Sequence, residues 1–315
     1  MTRRSLLVAL AVLAPMLAQA PVAHAQVAPA QVLAILEGAR TELVEPTPTP
    51  RDPLARDLRG GRPMRGFGAQ RLVHFTFDDG PRPGVTDRVL DELDRRGARA
   101  TFFVVGRQLE RPRQRALLEE MVRRGHTVGA HGYDHTDLRT LSVSALHQQL
   151  DRTEALFVEI LGDRPYLFRP PYGGRNAQVD AVLAEREYAT VLWNVTAADA
   201  HARDASEVLA AFRESLDGQE RHRSGPGSVV LLHDTHPWVA DALPLLFDEL
   251  DRRNCALVAH EDEALWDVAD DLRPFFRPRG ARAPVGMDHA TFATRQLALR
   301  ERARERCAEG SSESM

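Results

Sequence analysis

From Arg71 onward the chain alternates short apolar segments with longer amphipathic ones, and no other feature constrains the fold as tightly. Segments 72–77, 100–105, 127–130, 166–168, 189–193, 228–232 and 256–258 have the length and apolar content of buried strands. Between them, segments 86–96, 112–124, 142–161, 177–186, 206–216 and 241–253 place apolar residues at three- and four-residue spacing with charge on the opposite face. Val89, Leu90 and Leu93 show the pattern. Ser142 and Ser206 suit N-cap positions, and Gly97 and Gly125 suit helix stops. Seven strands separated by six helices predict a parallel α/β domain. No glycine-rich dinucleotide fingerprint follows the first strand, which argues against a Rossmann fold. The expected architecture is a distorted, incomplete seven-stranded (β/α) barrel.

In such a barrel the chemistry gathers where strands end, on the C-terminal face. Asp78 and Asp79 follow the first predicted strand, His131 the third and Arg169 the fourth. Asp199 follows the fifth after a short loop, and His233 follows the sixth. The adjacent carboxylates lie in Phe75-Thr-Phe-Asp-Asp-Gly-Pro81, a buried strand broken by a turn. Side by side at a strand mouth they repel and are costly to desolvate unless a cation or an arginine compensates. A solvated Asp-Gly-Pro turn is the plain alternative. His131 and His135 form an H-x-x-x-H pair, and a carboxylate from Asp78 or Asp79 on the same rim would complete three ligands with a position left open. That donor set suits a hydrolytic metal site, and a bound cation would also answer the carboxylate repulsion.

Composition narrows the alternatives. A formal charge of −4 gives no reason to expect a nucleic-acid partner. All 41 basic residues are arginine, so Schiff-base lysines, P-loop lysines and Ser-Lys hydrolases are excluded. Residues 1–25 are expected to be an export signal: Arg3 and Arg4, an apolar stretch too short to span a bilayer, then Ala23-His-Ala25. No later segment could cross a membrane, so the expected location is periplasmic or extracellular. Residues 26–69 are expected to form a Pro-rich, weakly ordered linker, with a short helix over 31–43. Residues 266–315 form an extension whose Arg-rich segment 290–307 reads as a solvated tail helix. Cys255, in an apolar run, reads as a buried free thiol, and Cys307 lies in the charged tail.

Four motifs in order carry a resemblance: Thr76-Phe-Asp-Asp-Gly-Pro81, His131-x-x-x-His135, Arg169-Pro-Pro-Tyr-Gly173 and Leu231-Leu-His-Asp234. The chain resembles the polysaccharide deacetylases of the nodulation type, the fourth carbohydrate-esterase family, over roughly residues 71–259. The resemblance bounds a deacetylase domain at about 70–265 and implies hydrolysis of N-acetyl groups on an acetylated polysaccharide or oligosaccharide. It implies that Asp79, His131 and His135 hold a divalent metal, expected to be zinc, with cobalt or nickel acceptable. Asp78 is then the general base, oriented by Arg169, and His233 the general acid, raised in pKa by Asp199. The backbone N–H of Tyr172 would help to stabilise the oxyanion. The chain departs from the family at Gly132, where a Ser or Thr usually follows the first metal histidine. It departs again at Thr196 and Ala200, where an Asp and a groove-lining Trp are usual, so a less enclosed groove is expected. An O-acetyl esterase or small-molecule amidase on the same site is the alternative among enzymes. A secreted carbohydrate-binding protein without turnover is the alternative of another class.

Overall fold

The computed structural model describes residues 62–312 except 223, 224 and 263. The predicted export signal, the helix over 31–43 and most of the predicted linker lie outside the described residues.

The centre of the sheet is β1 (Leu72–Asp78), buried at every position. Its burial on both faces and both edges explains why an unbroken LVHFTFD run, rather than an alternating one, is placed there. Along one edge, β7 (Ser228–His233) pairs in parallel with Val73–Asp78. Two strands share the rest of the pairing: β2 (Thr101–Val104) takes Thr76–Asp78, and β8 (Asp267–Val268) takes Leu72 and Val73. Beyond β2 lie β3 (Thr127–Ala130), β4 (Leu167–Phe168) and β5 (Ala189–Thr190), and beyond β7 lies β6 (Val195–Thr196). Every pairing is parallel, and β5 and β6 end the path without closing on each other among the described residues. The barrel is incomplete, as the alternation predicts.

Helices α1 (Thr86–Arg95), α2 (Pro112–Arg123), α3 (Val143–Leu161), α4 (Ala177–Glu185), α5 (Ala205–Glu220) and α6 (Pro237–Ala259) follow the strands in turn. Between sheet and helices runs an aromatic seam in which Phe75 meets Phe212 and Phe247, and Phe77 stacks on Phe102 with ring centroids 5.1 Å apart. Ser142 caps α3 by accepting from Ala145 N–H. The cap of α5 is Asp204 rather than Ser206: its carboxylate accepts from the N–H groups of Ser206 and Glu207, the stronger arrangement at a positive helix end.

Four further sequence expectations are corrected. Segment 256–258 is the last turn of α6 and not a strand. A three-residue apolar run carries no period of its own, and here it continues the helix, with Leu257 against the core. The strand pairings instead come from β6 and β8, which are two residues each and too short to leave a pattern. Residues 62–69 belong to the fold: Met64 is buried and bridges to Val191, and Phe67 N–H donates to Gly227 O. Finally, Cys255 is not a free thiol. It forms a disulfide with Cys307 on α7 (His289–Ser312), 52 residues away. That helix is docked, not a solvated tail. The Gln296 side chain hydrogen-bonds both the N–H and C=O of Leu265, and Arg295 pairs with Asp267 on β8 at 2.6 Å.

Candidate active site

The strand ends converge as the barrel geometry requires. Asp78 is the last residue of β1 and His233 the last of β7, and the two are register partners across the sheet. His131 follows β3 directly, Arg169 follows β4, and Asp199 follows β6, the strand that sequence patterning missed.

Asp79, His131 and His135 offer ligand atoms that all lie within 4.8 Å of one another. Asp79 Oδ1 is 3.2 Å from His135 Nε2 and 3.5 Å from His131 Nε2. The His131 ring is fixed by its other nitrogen: Nδ1 lies 2.6 Å from the Arg169 carbonyl, which can only accept. The proton is therefore on Nδ1, and Nε2 presents its lone pair to the site. Burial holds the His131 pKa down at about 3, so the imidazole stays neutral and ligand-competent. Asp79 Oδ1 is buried with no hydrogen-bond partner. A buried carboxylate oxygen left without a donor, beside the Nε2 atoms of two imidazoles, is the arrangement a divalent cation would complete. The donor set fits zinc and neighbouring transition metals.

The local backbone is strained to deliver these groups. Asp79, His135 and Tyr172 all have positive φ, at 74°, 65° and 59°, each costing of order 1–3 kcal/mol outside glycine. Gly132, between the two histidines, sits at φ 75°, so the usual hydroxyl-bearing residue would be strained here. Beneath the Asp79 turn lies Asp234, which the sequence reading quoted in a motif but gave no role. Its carboxylate accepts from Thr86 Oγ1 at 2.5 Å and occupies the space that a Cβ on Gly80 would need. Burial raises its pKa to about 7. Asp234 therefore packs under the turn that aims Asp79.

Asp78 and Arg169 form a buried ion pair at 2.6 Å, with Arg169 wholly inaccessible. The guanidinium also donates to Thr76 Oγ1 at 2.8 Å and Val191 O at 3.2 Å, and its carbon lies 4.2 Å from the centre of the Phe103 ring. A pair this satisfied fixes the carboxylate in one rotamer. Burial raises the Asp78 pKa, and the Arg169 charge opposes that rise. On the other side, His233 Nδ1 lies 3.1 Å from Asp199 Oδ2, and the same oxygen accepts from His233 N–H at 2.8 Å. Burial alone would lower the His233 pKa, but hydrogen bonding to Asp199 and its charge reverse the sign and raise it to about 9.

Tyr172 stands on the short turn Pro171–Gly173, its ring mostly exposed and edge-on to His135 at 4.5 Å. Its hydroxyl lies 3.1 Å from His135 Nδ1, a contact through the side chain where the sequence reading considered only the backbone. Trp238, in the first turn of α6, donates its indole N–H to Asp199 O at 2.9 Å and stacks on His236, with centroids 4.7 Å apart. It stands beside the loop where Ala200 replaces an expected tryptophan. A Pro-Trp pair at a helix start was the available signal, but only tertiary placement brings it to the site.

Residues 66–191 match the polysaccharide deacetylase family. Among curated proteins, the chain is 32% identical over 189 residues to peptidoglycan-N-acetylmuramic acid deacetylase PdaC of Bacillus subtilis, spanning 60% of this chain and 38% of that protein. It is 36% identical over 172 residues to a chitooligosaccharide deacetylase of Bradyrhizobium sp., spanning 53% of this chain and 72% of the relative. The solved structure of PdaC from Bacillus subtilis is similar with a TM-score of 0.51 and 31% identity, over 57% of this chain and 83% of that one. The chain spans less than two fifths of the full length of the first curated relatives it matches. With this family match and a relative 36% identical over 72% of its own length, the chain belongs to the polysaccharide deacetylase family, the fourth carbohydrate-esterase family.

Proposed function

We propose that the protein is an exported, metal-dependent N-deacetylase acting on the amino sugars of an acetylated polysaccharide, with zinc as the expected metal and cobalt or nickel as substitutes. The observation that carries this reading is the orphaned Asp79 Oδ1 between two imidazole Nε2 atoms, flanked by a carboxylate–guanidinium pair and an imidazole–carboxylate pair. The relatives' names supply the substrate class: N-acetyl groups of peptidoglycan and of chitooligosaccharides. Export is supported by the leader-like residues 1–25 and by the Cys255–Cys307 disulfide, which an oxidising compartment sustains. No helix among the described residues is long and apolar enough to cross a membrane.

Asp79, His131 and His135 would hold the cation, which when bound would supply Lewis-acid polarisation of the acyl oxygen and lower the pKa of water. The chain's own residues do the rest. Asp78, held ionised and in place by Arg169, removes the proton of the attacking water. Its raised pKa improves it as a base. As the acyl carbon becomes tetrahedral, the Tyr172 N–H on its strained turn is the nearby backbone donor for the developing negative charge. Expulsion of the amine requires a proton, and His233 holds one up to about pH 9 because Asp199 keeps it there. A binding module would need neither the base nor the acid.

The test is acetate release from N-acetylated oligosaccharides by zinc- or cobalt-loaded protein, with Asp78→Asn as control. Loss of the general base is expected to lower turnover by roughly 10²–10⁴-fold, with metal content unchanged. Release from ester-linked acetyl groups alone would move the assignment to an O-acetyl esterase. Stoichiometric metal with no release from any acetylated substrate would leave a binding protein, and failure to bind metal would defeat the reading.

A further inference from the structure

Beside the metal-ligand triad opens a cavity of about 380 Å³ whose lining includes the ligands Asp79 and His135 together with Arg107, Gln108 and Arg111. Its size is within the range of small-ligand sites. Arg107 and Arg111 come from the 3₁₀ turn Gly106–Glu110 and the residue after it, which follow β2 on the catalytic face. Both side chains are exposed. Neither has a carboxylate partner among the described residues; the Arg111 guanidinium makes one hydrogen bond, to Gln108 Oε1 at 3.1 Å. Further along the same segment, Arg115, Arg123 and Arg124 are each ion-paired, to Glu159, Glu120 and Asp91. The two guanidinium groups facing the groove are left with free donors.

The remaining charges around the groove are one further arginine and two carboxylates, each with partners of its own. Arg82 donates to the carbonyl of Thr235, another lining residue. Of the two lining carboxylates, Asp79 belongs to the ligand triad. Asp134 accepts from Thr136 N–H and from the Gln149 side-chain amide and pairs with neither arginine. Glu110, on the same turn as Arg107, hydrogen-bonds the Tyr133 hydroxyl and faces Arg152. A neutral chain would leave Arg107 and Arg111 idle, whereas guanidinium forks match a planar carboxylate in two-point hydrogen bonding.

Building on the deacetylase reading, we propose that the substrate polymer is anionic, and that Arg107 and Arg111 receive a carboxylate carried on, or next to, the sugar whose acetamide is hydrolysed. Two sources of that carboxylate are chemically distinct: a lactyl ether on the N-acetylated sugar itself, or a neighbouring uronic acid.

Acetate release is measured on three oligosaccharide series of matched length: neutral N-acetylglucosamine chains, chains bearing 3-O-lactyl groups, and chains alternating N-acetylated amino sugar with uronic acid. Wild type is compared with Arg107→Gln, Arg111→Gln and the double variant, with metal content and melting temperature checking the fold. In the double variant, kcat/KM on the preferred acidic series is expected to fall at least tenfold, mainly through KM. Turnover of neutral chains should stay within about twofold. The wild-type KM for acidic chains should also rise with ionic strength. Whichever acidic series loses its advantage identifies the carboxylate source. An acidic-to-neutral ratio that is the same in wild type and variants, with neutral chains still turned over, overturns this inference and leaves the deacetylase reading intact. No acetate from any series defeats both.

Discussion

Asp78 and His233 face each other across the β1–β7 pairing, and both carry pKa values raised above the ordinary range, yet by opposite physics. For Asp78, burial does the raising, and its partner Arg169 holds the effect in check. For His233, burial works against the proton, and its partner Asp199 overcomes it. Desolvation always disfavours the charged form, so it makes a carboxylate a better base but an imidazole a poorer acid. The base therefore sits deeper, with 3% of its side chain accessible against 18% for His233. The lesson is that the two partners are not interchangeable props: one restrains a shift and the other creates it.

The comparison breaks most visibly at Arg169. Arg169→Met leaves Asp78 buried without compensation, which is expected to cost about 3–5 kcal/mol of stability, read by denaturant unfolding of the metal-free protein. The Asp78 pKa should rise further, so the acid limb of the kcat/KM profile moves to higher pH. Adding Asp78→Asn to Arg169→Met should restore part of the lost stability, because the stranded charge is gone. No recovery in the double variant would mean that Arg169 acts through its contacts with Thr76 and Val191 rather than through the ion pair.

Asp199→Asn should do the reverse. With the group that raises it removed and burial still present, His233 should fall from about 9 towards the ordinary imidazole value, and the alkaline limb should move down while the acid limb stays. The same substitution has a stability signature. A histidine raised on folding from 6.5 to about 9 contributes about 3 kcal/mol that is fully present below pH 6.5 and is lost as pH rises through 9. Asp199→Asn should flatten that part of the stability–pH curve. An unchanged alkaline limb would remove His233 from the role of acid.

The two halves of the rim also differed in how much of them could be read from sequence. The base half lies on β1, β3 and β4, where the strand signals and the H-x-x-x-H spacing mark the positions of Asp78, Asp79 and His131. In the acid half, His233 ends the well-marked β7, but Asp199 follows β6, two residues long and patternless, so the sequence could place Asp199 only on a loop after the predicted strand 189–193. Burial was harder still. An arginine in a Pro-rich loop reads as surface, and nothing local reveals that Thr76, Phe103 and Val191 enclose Arg169. The positive φ at Asp79, His135 and Tyr172 likewise leaves no trace, because none is glycine. The extension failed for a related reason. Its charges looked solvated one at a time, but Arg295 and Cys307 find partners far away in the chain at Asp267 and Cys255. What the sequence displays is periodicity, and long-range pairing has none.

The smallest expected effect separates what holds Asp199 from what Asp199 does. Trp238→Phe keeps an aromatic ring on His236 but removes the indole N–H that donates to Asp199 O at 2.9 Å. That carbonyl retains a second donor, the Ala202 N–H at 3.3 Å, so the cost should be near 1 kcal/mol, the net value of one hydrogen bond. The Asp199 carboxylate is separately tied to the His233 N–H at 2.8 Å. If that second tie suffices, the alkaline limb of Trp238→Phe should coincide with wild type while the melting temperature drops slightly. If instead the limb moves down as it does in Asp199→Asn, the indole is what aims the carboxylate at His233. Trp238 would then be a positioning residue for the acid, entering from a helix that follows β7 rather than from the β6 loop. Either result sharpens the contrast with Asp78, whose partner is locked from several sides at once and leaves no single weak contact to test.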